Sequence, residues 1–206
     1  AWFSSDPRVL LKVFRGGAKS TLGEEALAVG ALFQLFQYGL VVGNTYSAAC
    51  ERLSSIRVEL EGNEKINSIF GFAKGNVWSE NILLLDNGVM LQAFGANQSV
   101  RGAKNPVNNA RPDFVLVDDF EDRDTVATPE GRRKTAQWFT RELEPALAPG
   151  ARIRVNGTPL HVDSAIEQFS QNATWTTYNF PLYRMDGEQR VPLWPERFDL
   201  AWIDRQ

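Results

Sequence analysis

Apolar runs broken by glycine, proline and short polar clusters divide the chain into alternating strands and helices. Val9, Leu10, Leu11 and Val13 make residues 8–14 a buried strand, ended by Gly16-Gly17. Leu22, Ala26, Val29, Phe33 and Phe36 recur at helical spacing, which predicts a helix over 20–37 with that stripe as its apolar face. Gly39 follows as a stop, "LVVGN" at 40–44 reads as a second strand, and 46–60 reads as a second helix. Strand, loop, helix, strand and helix in that order imply a parallel sheet with right-handed crossovers.

The middle of the chain changes character. "ENILLLDNGVMLQAFG" holds two short apolar runs around Asp86-Asn87-Gly88, and Asn-Gly between such runs signals a hairpin. A loop rich in Gly, Asn and Pro occupies 95–112, and "DFVLVDDFED" then reads as an apolar strand ending in acids. Thr128-Pro129-Glu130 opens a helix expected to reach about Leu147, where Pro149-Gly150 ends it. "RIRVNGTPLH" predicts another buried strand running into a loop, and 163–170 a short helix. The tail "LWPERFDLAWIDRQ" is aromatic and mixed in charge.

Composition narrows the function classes. A length of 206 residues, 43% hydrophobic and 23% charged, suits one globular domain with a sizeable core. No apolar stretch is long enough to span a bilayer, and no basic segment leads into an apolar run at the start, so neither a membrane span nor a secretory signal is expected. Cys50 and His161 are the single cysteine and histidine. Intrachain disulfides, Cys-rich zinc sites and His clusters are therefore excluded, and a reducing cytoplasm fits. A net charge of −3 argues against coating nucleic acid by bulk electrostatics. Arg132, Arg133 and Lys134 read as a solvated helix face.

The candidate chemistry begins at "FRGGAKST", residues 14–21, between the first strand and helix. The phosphate-loop pattern G-x-x-x-x-G-K-[ST] is not met, since Val13 and Ala18 stand at its two glycine positions. Read alone, the stretch fits either a phosphate loop or a Gly-rich turn with a helix-start serine. In the first reading Gly16 and Gly17 allow close backbone approach, Lys19 reaches the β- and γ-phosphates, and Ser20 ligates Mg²⁺. Such a loop needs an acid on a neighbouring strand. "FVLVDD" supplies Asp118 as the magnesium carboxylate, with Asp119 where the water-orienting glutamate usually stands. Asp is one methylene shorter than Glu, so Glu121 is the alternative for that task. A third segment, "VNGTPLH", can bring the Thr158 hydroxyl near a γ-phosphate.

In this order the segments resemble the ATPase domain of the large terminase subunit, the DNA-packaging motor of tailed bacteriophages. "FRGGAKST" is similar to that family's deviant phosphate loop (Walker A), which carries an arginine near its start. "NGVMLQAFGANQSVRG" resembles the hairpin and Arg-Gly segment before the magnesium strand. "RPDFVLVDDFED" resembles the family's Walker B strand, "NGTPLHVDS" the coupling motif GT-x-x-H-x-D, and "LWPERF" its late WPERF segment. The resemblance implies an α/β P-loop NTPase fold of the ASCE type, with a central, mainly parallel sheet flanked by helices, and ATP and Mg²⁺ as cofactors. It implies that Arg15, Gly16, Gly17, Ala18, Lys19, Ser20 and Thr21 hold the nucleotide, that Ser20 and Asp118 hold the metal, and that Asp119 or Glu121 orients the water. Arg15 would contact the γ-phosphate, Thr158 would couple its loss to motion, and His161 would orient the coupling loop. Arg101 is the candidate arginine finger for a neighbouring subunit, with Arg111 its rival. Implied partners are double-stranded DNA, a portal protein and a small terminase subunit, with a homo-oligomeric ring, taken as a pentamer, on assembly and a monomer in isolation. The work would be done at the procapsid in the host cell cytoplasm. Residues 1–206 would be the ATPase domain, 195–206 beginning a linker to a C-terminal nuclease domain, with the N-terminal adenine-contacting segment short or absent.

Other classes compete. A helicase-like translocase would carry further arginine-rich motifs in a second lobe, and a nucleotide kinase an acceptor pocket; neither is marked in the sequence. A scaffold that binds nucleotide without turnover would not need Arg15, Lys19, Asp118 and Glu121 together.

Overall fold

The computed structural model describes residues 1–205. In chain order the elements are β1 (Arg8–Val13), α1 (Lys19–Leu32), β2 (Tyr38–Gly43), α2 (Tyr46–Gly62), α3 (Glu64–Phe70), β3 (Lys74–Trp78), β4 (Ile82–Leu85), β5 (Met90–Gly95), β6 (Phe114–Asp118), α4 (Arg123–Ala127), α5 (Pro129–Trp138), a π-helical turn (Phe139–Leu143), α6 (Glu144–Ala146), β7 (Arg152–Gly157), α7 (Ala165–Ser170), β8 (Thr176–Phe180), β9 (Tyr183–Asp186), β10 (Gln189–Pro192) and α8 (Leu200–Ile203). One sheet runs β3-β4-β5-β2-β6-β7-β1-β8, and β9 and β10 form a separate hairpin. β5, β2, β6, β7, β1 and β8 are mutually parallel, while β3 and β4 add an antiparallel edge. This is the mainly parallel α/β sheet expected from the alternation, with the Asn87-Gly88 turn joining β4 to β5 as the hairpin signal requires.

Because successive strand residues face opposite sides, each central strand feeds two cores. Leu40, Val42, Val115, Val117 and Val155 pack with Trp138, Phe139, Leu143, Phe169 and Trp175 on one face. Val41, Phe114 and Leu116 pack with Leu27, Ala31, Leu53, Ile56 and Leu60 of α1 and α2 on the other. The result is a three-layer sandwich whose strand C-termini gather at one edge.

The helix after β1 forms, but the stripe chosen from its periodicity lies largely on the wrong side. Ala26 and Phe36 are buried, yet Leu22, Val29 and Phe33 are 49%, 41% and 61% exposed. The inward positions are instead Gly23, Leu27, Gly30 and Ala31. Small residues face inward because space there is short: a Cβ at Gly23 would stand 3.0 Å from Leu116 Cδ2 of β6, and one at Gly30 2.5 Å from Phe36 Cε1 of the following turn. The helix also stops at Leu32, before a left-handed Gln34, and not at residue 37.

The helix from Pro129 does continue towards Leu147, but in three pieces. The π-helical turn precedes Pro145, which has no N–H to give the Arg141 carbonyl, and the widened turn takes up the mismatch. Elements absent from the sequence reading are α3, β3, α4, β8, the β9–β10 hairpin and α8. Of the expected linker start, Gln206 lies outside the described residues. No helix among the described residues is long and apolar enough to cross a membrane.

Candidate functional site

β1, β7 and β6 lie side by side and parallel, so the loops leaving Val13, Gly157 and Asp118 meet at one edge of the sheet. The loop after β1 is a tight turn: Gly17 N–H donates to the Phe14 carbonyl at 3.1 Å. Gly16 has φ 85 and Ala18 φ 58, so two left-handed residues bend the backbone into a concavity that turns N–H groups to one side. Ala18 is the N-cap of α1 and supplies no side-chain cap, leaving the first-turn N–H groups directed at the cleft. Gly17 cannot carry a side chain, because a Cβ there would stand 2.6 Å from Val13 Cγ1. Arg15 is exposed at the rim, and Thr21 is exposed on the first turn of α1.

Asp118 ends β6 at 3% exposure. Ser20 stands near enough to that carboxylate for its hydroxyl to favour the charged form. Asn156, fully buried on β7, donates from Nδ2 to the Lys19 carbonyl at 3.0 Å and to Asp118 Oδ1 at 3.4 Å. Asp118 Oδ2 is buried without a hydrogen-bond partner, and Arg52 Nε on α2 stands 3.1 Å from it. Arg52 Nη1 also lies 3.4 Å from Glu24 Oε1 on α1. Burial pushes the Asp118 carboxyl above its ordinary pKa and the Asp119 charge adds to this, while the Ser20 hydroxyl and the Arg52 and Lys19 charges oppose it. Burial likewise raises Glu24, with Arg52 opposing.

Asp119 and Glu121 differ in surroundings. Asp119 takes a left-handed φ of 46 and turns its side chain outward, where Oδ2 meets Lys19 Nζ at 2.7 Å. Glu121 is buried, and its two oxygens accept the Ala165 and Ile166 N–H groups at 2.7 and 3.2 Å. It therefore ties the acid loop to the start of α7. Burial raises its pKa against the pull of those hydrogen bonds. Thr158 Oγ1 donates to the Val13 carbonyl at 2.8 Å, fastening the segment after β7 to the end of β1. His161 Nδ1 accepts the Asp163 N–H at 3.0 Å, which fixes the turn before α7.

Lys19, Arg15, Asp119, Glu121 and Thr158 thus line one cleft of about 750 Å³, and Arg52, which also lines it, reaches the buried Asp118. Arg101 is not brought there. It follows β5, its side chain is 69% exposed, and Nη2 pairs with Glu142 Oε1 at 2.7 Å. Arg111 precedes β6 and so stands at the opposite edge of the parallel sheet. Sequence reasoning missed Arg52, Asn156 and Glu24. Asn156 had a signal, a lone polar residue inside the apolar "RIRVNG" run; Arg52 and Glu24 sit on helices where charged residues are ordinary.

Neither a protein-family model nor a curated protein matches the sequence. Among solved structures the chain is similar to the large terminase ATPase domain of Thermus phage P74-26. An Arg-to-Ala variant of that domain aligns at 16% identity and TM-score 0.63, covering 98% of this chain and 83% of that one. A second structure of the domain aligns at 16% identity and TM-score 0.57, covering 87% and 78%. The large terminase of the thermophilic bacteriophage D6E aligns at 12% identity and TM-score 0.50, over 92% of this chain and 48% of that one. The chain has the fold of the ATPase domain of phage large terminases.

Proposed function

We propose that this chain is the ATPase domain of a phage DNA-packaging motor, hydrolysing ATP with Mg²⁺ to drive double-stranded DNA into a procapsid. The observation that carries the proposal is the meeting of Lys19, Ser20, Asp118 and Asp119 where a strand–loop–helix turns free N–H groups into a cleft. The residues fit a hard divalent cation: a serine hydroxyl stands beside a carboxylate whose Oδ2 is buried without a hydrogen-bond partner. Ser20 and Asp118 would hold Mg²⁺, which would supply charge neutralisation to bound phosphate.

The loop backbone from Gly16 to Ser20 and Thr21 at the head of α1 grip phosphate oxygens, with Arg15 reaching in from the rim. Lys19 exchanges its contact with Asp119 for the phosphates. Asp119, released, accepts a hydrogen bond from the attacking water and orients it. Glu121 stays on α7 and, with Thr158 on Val13, links the cleft to the segment that must move. The base lies in the adjoining apolar pocket of about 350 Å³ beside Gly17, walled by Trp2, Phe14, Leu22, Phe180 and Trp194. Trp2 is held there by Arg154, a fully buried side chain whose guanidinium donates to the Trp2, Ser4 and Asp6 carbonyls at 2.8–2.9 Å.

The fold shared with phage large terminase ATPase domains supports the assignment to packaging, with a portal protein and small terminase subunit as partners in the host cytoplasm. The exposed Arg101 suits a finger offered to a neighbour in a ring. The test is magnesium-dependent phosphate release from ATP. Wild type should turn over and bind ATP, and Lys19→Ala should lose turnover while keeping its circular dichroism spectrum. Equal turnover by the two proteins refutes the phosphate-loop assignment. Stimulation by duplex DNA with portal separates a packaging motor from another NTPase.

A further inference from the structure

We propose that Arg52 is an internal counter-cation that competes with the divalent metal for Asp118, so that metal enters the cleft together with phosphate and not alone. The proposal rests on the nucleotide site described above and adds a residue that no motif marks.

The contact has the features of a displaceable partner. Arg52 sits on α2 beside its buried stripe of Ala49, Leu53, Ile56 and Leu60, so its stem is anchored while its guanidinium reaches the cleft. It approaches Asp118 through Nε alone, at 3.1 Å and without hydrogen-bond geometry, and Glu24 through Nη1 at 3.4 Å. Guanidinium holds carboxylates most firmly in a bidentate fork, and neither contact here is one. The Asp118 oxygen that Arg52 faces is Oδ2; Oδ1 is already engaged by Asn156. Cation and metal ion therefore claim the same carboxylate oxygen.

Charge explains why the arrangement discriminates. Arg52 contacts both Glu24 and Asp118, and the Asp118 charge raises the Glu24 pKa while Arg52 opposes it. A divalent ion arriving alone must displace a guanidinium that is then left with Glu24 and contacts no second anion in place of Asp118. A phosphate chain in the cleft supplies that anion, since Arg52 lines the same cleft as Arg15 and Lys19. Arg52 acts through Asp118 and is a positioning residue, not a catalytic one.

The experiment is a titration of the whole chain with Mn²⁺ alone, followed by electron paramagnetic resonance, and a parallel titration with Mn²⁺ and ATP. Arg52→Gln should bind Mn²⁺ alone on the order of tenfold more tightly than wild type, since a cation beside the site is removed. Adding Asp118→Asn to that variant should abolish the gain. Arg52→Met, which keeps the length of the stem, serves if Arg52→Gln does not fold. Equal affinity of wild type and variant for Mn²⁺ alone, with both binding Mn²⁺ and ATP together, overturns the role of Arg52 and leaves the nucleotide site standing. Failure of wild type to bind Mn²⁺ with ATP overturns the site and this proposal with it.

Discussion

Asn156→Asp isolates the electrostatics around the buried Asp118. The side chain is fully buried, and its Nδ2 donates to the Lys19 carbonyl at 3.0 Å and Asp118 Oδ1 at 3.4 Å. An oxygen in place of that nitrogen faces two acceptors, one of them charged. Two unit charges about 3.4 Å apart repel by about 5 kcal/mol at an effective dielectric near 20. The protein has a cheaper route, which is to protonate the new carboxyl. At pH 7 that costs about 4 kcal/mol for an ordinary aspartate, so the penalty is capped near this value. The folded pKa of the new carboxyl is then raised above its unfolded value. Stability is fully present below about pH 4 and is lost as pH rises through the raised pKa. For a chain of this size each kcal/mol shifts the melting temperature by about 2–4 °C, so the variant should melt roughly 8–16 °C below wild type at pH 7. The deficit should nearly vanish near pH 4. Thermal melts followed by circular dichroism at both pH values decide the matter. An equal deficit at both would falsify the charge argument and assign the cost to packing.

Two further outcomes follow from the site. Asp119→Asn should keep ATP binding yet lower hydrolysis by on the order of 10²–10⁴, while Glu121→Gln should lower it less, because both Glu121 oxygens already accept N–H groups of α7. Single-turnover rates measured at saturating ATP would show the reverse order if Glu121 were the water-orienting acid. Arg101→Ala should leave ATP affinity nearly intact while removing any rise of turnover with protein concentration, a rise that a finger acting in trans can make as large as about 10³–10⁵. Mixing that variant with Lys19→Ala chains should restore part of the activity; no recovery, with wild-type activity independent of concentration, excludes action across an interface.

Local chemistry was legible in the sequence wherever it depends on neighbours along the chain. The β1–α1 turn, the Asn87-Gly88 hairpin and the apolar strand ending at Asp118 each declare themselves through residues a few positions apart. The parallel sense of β1 and β2 followed too, because a helix between two strands carries the chain back over the sheet by a right-handed crossover. Which face of α1 turns inward was decided only by packing: the sheet closes on Gly23 and the Phe36 ring on Gly30, while Leu22, Val29 and Phe33 are left outside. Asp119 and Glu121, two residues apart, look interchangeable in sequence. Tertiary structure separates them, since α7 brings its N–H groups to Glu121 and the start of α1 brings Lys19 to Asp119. Arg52 and Asn156 reach Asp118 from α2 and β7, elements far away in the chain. Periodicity and motif spacing register only what is near in sequence, and the charge balance around a buried carboxylate depends on what is near in space.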